Sequence, residues 1–218
     1  ARVASNLSVK NLGKKVGAVL KACETRGIIE LTKFLQVKLE NFYLIGVDCP
    51  GTFEVPDYAK MMEEGKGGEK LAKDLLKGME KGDALPPSGY TYRTACKMCE
   101  YPVPKADVVF KLFGYPTDRE IGIEIGERLE KEIEEKGILT YTDDEPASRN
   151  DVVTKVIAER TKKRDALFEE FRGAVKDLRS FLDRFSTCVR CHNCMVACPI
   201  CYCKECVFRT AIFEHEGD

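Results

Sequence analysis

Cysteines near the C-terminal end constrain this chain more than any other feature of its sequence. Seven of the 11 cysteines fall within residues 188–206. The first four, followed by Pro199, form the pattern C-x2-C-x2-C-x3-C-P: Cys188, Cys191, Cys194 and Cys198. Three thiolates at two-residue gaps can wrap three corners of an iron–sulfur cubane, and the proline turns the chain out of the loop. The pattern predicts a [4Fe–4S] site.

The fourth corner of this cubane has several candidate ligands. In proteins with two such clusters, the fourth cysteine of each run binds the other cluster, so a second run is expected downstream. The chain instead continues with Cys201, Cys203 and Cys206. Either one of these closes the first cubane, or the partner run lies outside these 218 residues. The remaining cysteines are then interpreted as free thiols.

Zinc is the main alternative for the cysteine-rich segment. Tetrahedral zinc sites also use C-x2-C pairs, and His192 lies inside the run. Three evenly spaced cysteines followed by C-P fit a cubane better, so His192 is interpreted as a loop residue near the cluster. A disulfide framework is disfavoured because the cysteine count is odd, the gaps are short and no secretion signal is present.

Composition narrows the class of protein further. The net charge of -1 at pH 7 gives no electrostatic reason to expect nucleic acid or an anionic membrane as partner. No apolar run approaches the ~18 residues of a spanning helix, so we expect a soluble, cytoplasmic protein. The chain begins with alanine rather than methionine, and we therefore expect a processed form or a fragment.

The order of predicted elements indicates an α/β fold with a small parallel or mixed sheet. Val16–Leu20 and Phe42–Val47 have the pattern of buried strands, and residues 24–36 between them have helical spacing. This unit predicts two parallel strands joined by a crossover helix. Further strands are predicted at 107–113 and 121–125.

The second half of the chain is predicted to be mainly helical before the cysteine run. Apolar residues at steps of three and four predict one long helix over 150–185, which packs on the first domain or on a partner. The predicted organisation has three parts: a first domain at 1–145, a long connecting helix at 146–186 and a ferredoxin-like cysteine module at 187–218.

Four cysteines outside this module are spaced in a way that suggests a second site. Cys23 stands at the start of the first helix, and Cys49 follows the second strand. If these strands are parallel, both cysteines lie at the carboxyl edge of the sheet, where α/β folds place ligands. Cys96 and Cys99 add a C-x2-C pair. The alternative is that Cys23 and Cys49 are small buried apolar residues.

Three segments of the chain resemble a known family. The segments KACETRG at 21–27, IGVDC at 45–49 and ACKMC at 95–99, the last followed by Ala106 and Asp107, occur in order and at similar spacing in the beta subunits of coenzyme F420-reducing hydrogenases and related formate dehydrogenases. The resemblance covers roughly residues 10–145. It implies that Cys23, Cys49, Cys96 and Cys99 hold a [4Fe–4S] cluster beside FAD. It also implies that the flavin exchanges a hydride with coenzyme F420 and passes single electrons to the cluster.

The chain departs from this family in two respects. Members usually carry several tens of residues before the first matching segment, and the simplest members lack a ferredoxin-like tail. The tail makes the chain more similar to the branch associated with formate dehydrogenase and heterodisulfide reductase. The resemblance therefore implies three kinds of partner: the catalytic subunit of a formate dehydrogenase, that of a hydrogenase, and heterodisulfide reductase subunits.

Evidence for a flavin or substrate pocket is weaker than evidence for clusters. The chain has no G-x-G-x-x-G fingerprint. Arg26, one turn into the first helix, is the best candidate to bind a cofactor phosphate, and its alternative is an ordinary surface or capping arginine. Asp48 suggests acid–base chemistry, but the sequence shows no partner for it.

Three hypotheses follow. The first is a flavin-containing oxidoreductase subunit that exchanges electrons with coenzyme F420 or a similar two-electron carrier. The second is an electron wire with two or more [4Fe–4S] clusters and no flavin or substrate site. The third is a zinc-stabilised interaction module. In the first two, electrons pass between the cluster at Cys23, Cys49, Cys96 and Cys99 and the cluster of the tail.

Overall fold

A four-stranded mixed sheet organises the first half of the chain. The computed structural model describes residues 2–10, 14–137, 145–189 and 191–203. The strands lie in the order β1 (Val16–Leu20), β2 (Phe42–Val47), β3 (Val108–Lys111) and β4 (Gly122–Ile125). β1, β2 and β3 run parallel, and β4 is antiparallel to β3. The predicted α/β class, the crossover helix and all four predicted strands are confirmed.

Helices surround this sheet and continue beyond it. In chain order they are α1 (Arg2–Lys10), α2 (Ala22–Lys33), α3 (Val55–Glu63), α4 (Gly68–Met79), α5 (Thr94–Lys97), α6 (Glu127–Glu135), α7 (Ser148–Ala174), α8 (Leu178–Asp183) and α9 (Asn193–Ala197). A short 3-10 turn, Leu39–Asn41, precedes β2. Within the described ranges, no helix combines the length and apolar character needed to cross a membrane.

The β1–α2–β2 unit forms the main apolar core. Every second side chain of β2 faces inward, and Phe42 is 1% exposed. Ile28 and Leu31 of α2 are fully buried against it. Burying each of these two side chains stabilises the fold by ~1.5–3 kcal/mol relative to leaving it in water. This core fixes the register in which Leu20 pairs with Gly46, so the carboxyl ends of β1 and β2 lie side by side.

A buried ion pair joins the end of β2 to the end of β3 and the start of α7. Asp48 and Arg149 are 3% and 4% exposed, and Arg149 Nη1 lies 2.8 Å from Asp48 Oδ2. The same carboxylate oxygen accepts hydrogen bonds from the backbone N–H groups of Leu112 and Phe113, at 2.9 and 3.0 Å. Arg149 also donates to the carbonyl oxygen of Phe113 at 2.8 Å. Asp48 thus has the partner that the sequence did not reveal, and it serves to hold three elements together.

The long helix is present but differs from its prediction. It begins at Ser148, two residues before the predicted start, and ends at Ala174 instead of 185. The helix ends there because Asp177 caps the next helix, α8. The Asp177 carboxylate accepts a hydrogen bond from the Ser180 backbone N–H at 2.7 Å.

The helix contacts the first domain through apolar residues near its N-terminus. Val152, Val153 and Val156, in the first three turns, pack against Met79 and Phe113. Of the aromatic residues on the predicted apolar face, Phe171 and Phe181 are 47% and 40% exposed, so packing of this face on a partner stays a prediction. Among the described residues, the apolar packing of α7 on the first domain lies in its first three turns.

Removal of the buried guanidinium should weaken the whole fold. The Arg149→Met variant leaves the Asp48 charge buried without its partner, and we expect the free energy of unfolding to fall by ~3–5 kcal/mol. Urea unfolding followed by circular dichroism measures this change. Lys155→Met is the matched control, because Lys155 lies on the same helix and makes an exposed pair with Asp83. Equal destabilisation by the two substitutions would contradict the structural role of the buried pair.

Candidate metal centre

Four cysteines from three separate segments line one cavity at the carboxyl edge of the sheet. The cavity has a volume of about 300 Å³, within the scale of small-ligand pockets. Its sulfur-bearing residues are Cys23, Cys49, Cys96 and Cys99. The other lining residues are Lys21, Ala22, Glu24, Gly51, Thr52, Arg93, Ala95, Tyr101 and Arg160. The prediction that the four cysteines lie close together is therefore confirmed, while their role as ligands stays a prediction.

Cys23 and Cys49 reach the cavity through the ends of the two parallel strands. β1 ends at Leu20, and Cys23 is the second residue of α2. The first turn of α2 is closed by Glu24, whose carboxylate accepts a hydrogen bond from the Lys21 backbone N–H at 2.9 Å. Cys49 follows β2, and its backbone N–H donates to the carbonyl oxygen of Pro102 at 2.9 Å. A helix N-terminus favours negative charge, which suits Cys23 as a thiolate.

Cys96 and Cys99 come from a short helical turn that is tied to the loop after Cys49. The backbone N–H of Arg93 donates to the carbonyl oxygen of Thr52 at 2.9 Å. The Thr52 hydroxyl lies 3.3 Å from Cys96 Sγ, a hydrogen-bonding distance for sulfur. The N–H of Cys99 donates to the carbonyl oxygen of Cys96 at 3.3 Å, so the C-x2-C pair curls around one side of the cavity.

A glycine allows the loop after Cys49 to pass close to an aromatic ring. Gly51 has φ +138°, and a Cβ built there would lie 2.8 Å from Cγ of Tyr92. Tyr92 is itself held by a hydrogen bond from its hydroxyl to the carbonyl oxygen of Ala84, at 2.8 Å. The loop 49–52 is therefore fixed between this ring and the cavity.

Electrostatics in the bare cavity favour neutral thiols. Burial raises the pKa of the Cys49 thiol to about 11, against a hydrogen bond from the Gly51 backbone that lowers it. Burial also raises the pKa of Cys23, and the neighbouring Glu24, Cys99 and Cys96 raise it further. The Lys21 ammonium group lowers the pKa of both thiols in part. Binding of a metal centre would add positive charge beside Cys23 and Cys49 and release their protons.

The donor set of the cavity bears on the kind of metal centre that it could hold. Across the described parts of the chain, no three His, Cys, Asp or Glu side chains converge closely enough for a single metal ion. A zinc ion needs its sulfur ligands at ~2.3 Å from one point. Four thiols spread around a larger cavity match the donor set of a [4Fe–4S] cluster, in which each sulfur binds a different iron. No disulfide joins the four cavity cysteines.

The six tail cysteines that the structure describes do not line this cavity. Cys188, Cys191, Cys194 and Cys203 are exposed, and Cys198 and Cys201 are half-buried. Ile200 packs against the main core and the ring of Tyr202 lies 5.5 Å from that of Phe34, at the end of α2 opposite to Cys23. His192 is a loop residue, as predicted, with φ 57°. Cys206 lies outside the described residues.

Arg26 does not line the cavity but stands beside it. Its guanidinium lies 4.3 Å from the ring centroid of Tyr101, a cation–π contact. Three polar residues of the cavity wall were not predicted: Thr52, Arg93 and Arg160. Thr52 is three residues from Cys49, so proximity in sequence was its one signal. Arg160 is 111 residues from Cys49 and no local pattern points to it.

The position of Gly51 can be tested by adding one methyl group. Gly51→Ala should lower the free energy of unfolding by ~1–3 kcal/mol, because the backbone is strained and the Cβ meets Tyr92. Urea unfolding measures this loss. Gly89→Ala is the control, since Gly89 also has a positive φ (+88°) but open space around its Cβ. If the two variants unfold at the same urea concentration, the contact with Tyr92 does not constrain the loop.

Comparison with known proteins supports the resemblance carried by the sequence motifs. No family model matches the chain. It is 27% identical over 229 aligned positions to subunit beta of F420-dependent formate dehydrogenase 1 from Methanococcus maripaludis, an alignment that covers 93% of this chain and 58% of that protein. It is also 27% identical to the F420-dependent formate dehydrogenase subunit beta of Methanocaldococcus jannaschii, with 94% and 59% covered. The chain thus spans less than two thirds of the length of these relatives, and the similarities support its assignment to the beta-subunit family.

Proposed function

We propose that this chain is an electron-transfer subunit of an F420-linked formate dehydrogenase or a related anaerobic redox complex, and that Cys23, Cys49, Cys96 and Cys99 bind a [4Fe–4S] cluster. The observation that carries the proposal is the single cavity lined by these four cysteines, which come from three segments of the chain. The two relatives support the wider context, since both are beta subunits of F420-dependent formate dehydrogenases.

The residues of the cavity have distinct parts in this proposal. The four thiols provide one ligand for each corner, and bound to iron they are thiolates. Lys21, Arg93 and Arg160 supply positive charge at the wall, against one acidic residue, Glu24. The Thr52 hydroxyl donates to Cys96 Sγ once that sulfur is a thiolate. Such a cluster carries one electron at a time.

The tail is proposed to hold a second cluster. Cys188, Cys191 and Cys194 would bind three corners, and Cys198, Cys201, Cys203 or Cys206 would close the fourth. In the described part of the tail, Ile200 packs against the main core, and the ring of Tyr202 lies beside that of Phe34 at the end of α2. Electrons would pass through both clusters toward partner subunits.

The proposed partners are those that the resemblance implied. A catalytic subunit of a formate dehydrogenase would deliver two electrons from formate, and a hydrogenase subunit would deliver two from hydrogen. Heterodisulfide reductase subunits are the proposed electron acceptors if the electrons do not pass to coenzyme F420. Because coenzyme F420 takes a hydride and a cluster carries single electrons, FAD is proposed as the group that connects them in the native complex.

An electron wire without flavin is the second candidate. Arg26, the residue predicted to bind a flavin phosphate, stacks on Tyr101 and is not among the cavity residues. That observation favours a chain that relays electrons and binds no coenzyme of its own. The zinc-stabilised module is less favoured, because the C-x2-C-x2-C-x3-C-P run of the tail fits a cubane better than a tetrahedral zinc site.

Separate cysteine substitutions test the two proposed clusters. Cys96→Ser should remove about half of the iron and leave the tail cluster intact, whereas Cys191→Ser should do the reverse. Mössbauer and electron paramagnetic resonance (EPR) spectra of anaerobic protein, with iron per chain, measure both effects. Ala95→Ser is the matched control, because it adds a hydroxyl group to the same wall and keeps all the thiols. Loss of both clusters from either single variant would refute two independent sites.

Flavin content decides between the two candidate functions. We expect acid extraction of the anaerobically purified native complex to release about one FAD per copy of this subunit, since hydride exchange with F420 needs a two-electron carrier. High-performance liquid chromatography with fluorescence detection measures the flavin. A complex with full iron content and no flavin would support the second candidate, a subunit that relays electrons without a flavin.

A further inference from the structure

One face of α7 carries three arginines that contact the chain next to the cavity cysteines. Arg149 pairs with Asp48, which precedes Cys49. Arg160 donates to the backbone at Cys49 and Pro50. Arg164 pairs with Glu100, which follows Cys99. Their spacing of 11 and four residues places them on one side of the helix, at three turns and one turn apart. The long helix therefore holds the chain next to the cavity cysteines in place, and it also connects the first domain to the tail.

Arg160 differs from the other two in the kind of group it contacts. Its Nη2 lies 2.7 Å from the carbonyl oxygen of Pro50, and its two terminal nitrogens lie 3.5 and 3.4 Å from that of Cys49. Both acceptors are uncharged carbonyl groups. Within the part of the chain that the structure describes, Arg160 has no carboxylate in ion-pair contact, whereas Arg149 and Arg164 each have two. The positive charge of Arg160 is therefore not neutralised by a partner.

The position of this charge is fixed and faces the proposed cluster. Arg160 is one of the residues that line the four-cysteine cavity. Two backbone carbonyls hold the guanidinium, so it cannot swing into solvent without losing several hydrogen bonds. A cluster bound by four thiolates becomes more negative by one charge on reduction, and a nearby fixed cation stabilises that form.

We infer that Arg160 is a positioning residue that holds the Cys49–Pro50 turn and raises the reduction potential of the cluster at the four-cysteine cavity. This inference rests on the proposed function. The step concerned is the addition of one electron to the cluster, and no bond to Arg160 forms or breaks. Residues beyond the direct ligands tune metal centres in this way.

A redox titration tests the inference on the full anaerobic protein. Dithionite supplies the electrons through mediator dyes, and EPR follows the reduced clusters. Arg160→Gln keeps hydrogen-bond donors but removes the charge, and we expect one midpoint potential to fall, with a roughly tenfold loss in the one-electron reduction equilibrium, which is about 59 mV. Arg160→Lys, which keeps the charge, should restore most of this loss. Lys155→Gln is the control, since it removes one charge from the same helix away from the cavity.

The outcomes separate this inference from the proposal on which it rests. If wild-type protein holds no iron and sulfide, the proposed cluster itself is wrong. If Arg160→Gln keeps its iron and its midpoints match those of Lys155→Gln, the cluster stands and the inference about Arg160 fails. If Arg160→Gln loses iron that Arg160→Lys retains, the charge requirement is supported. Loss of iron from both variants would limit Arg160 to a role in folding and overturn the inference.

Discussion

The buried carboxylate of Asp48 is the constraint on which the geometry of the cysteine cavity depends. It accepts hydrogen bonds from two backbone N–H groups after β3 and from the guanidinium of Arg149 at the start of α7. Cys49 is the next residue in the chain, so its thiol is placed by the same contacts. A buried ion pair contributes little stability compared with an apolar replacement, but its directional bonds specify one arrangement of three elements. Here that arrangement sets the wall of the proposed metal site.

Three parts of the chain, the loop after Cys49, the C-x2-C turn and α7, together form the rest of the cavity wall. Hydrogen bonds from Arg93 to Thr52 and from Arg160 to Pro50 join the loop after Cys49 to the C-x2-C turn and to α7. Ordering these loops costs conformational entropy, which the packed sheet and the hydrogen bonds must offset. The result is a set of thiols brought together by the fold, although burial raises the pKa of two of them, Cys23 and Cys49.

Sequence reasoning could predict those features of the site that follow from local pattern. The apolar runs of β1 and β2, with a helix between them, correctly place Cys23 and Cys49 at one edge of a parallel sheet. The C-x2-C spacing of Cys96 and Cys99 correctly marks a paired element, but only the structure shows that it reaches the same cavity. Arg149 and Arg160 could not be found in this way, because they act on residues 101 and 111 positions away. The end of α7 was missed because the cap made by Asp177 competes with an otherwise continuous helical pattern.

The proposed iron–sulfur binding depends on two sets of cysteines, four in the cavity and the others in the tail. Quantification of iron, acid-labile sulfide and zinc per chain, on protein purified without oxygen, tests it most directly. We expect roughly eight irons and eight sulfides, as two [4Fe–4S] clusters require, with no stoichiometric zinc. Stoichiometric zinc without sulfide would contradict the proposed iron–sulfur binding and identify the cysteines as structural zinc ligands.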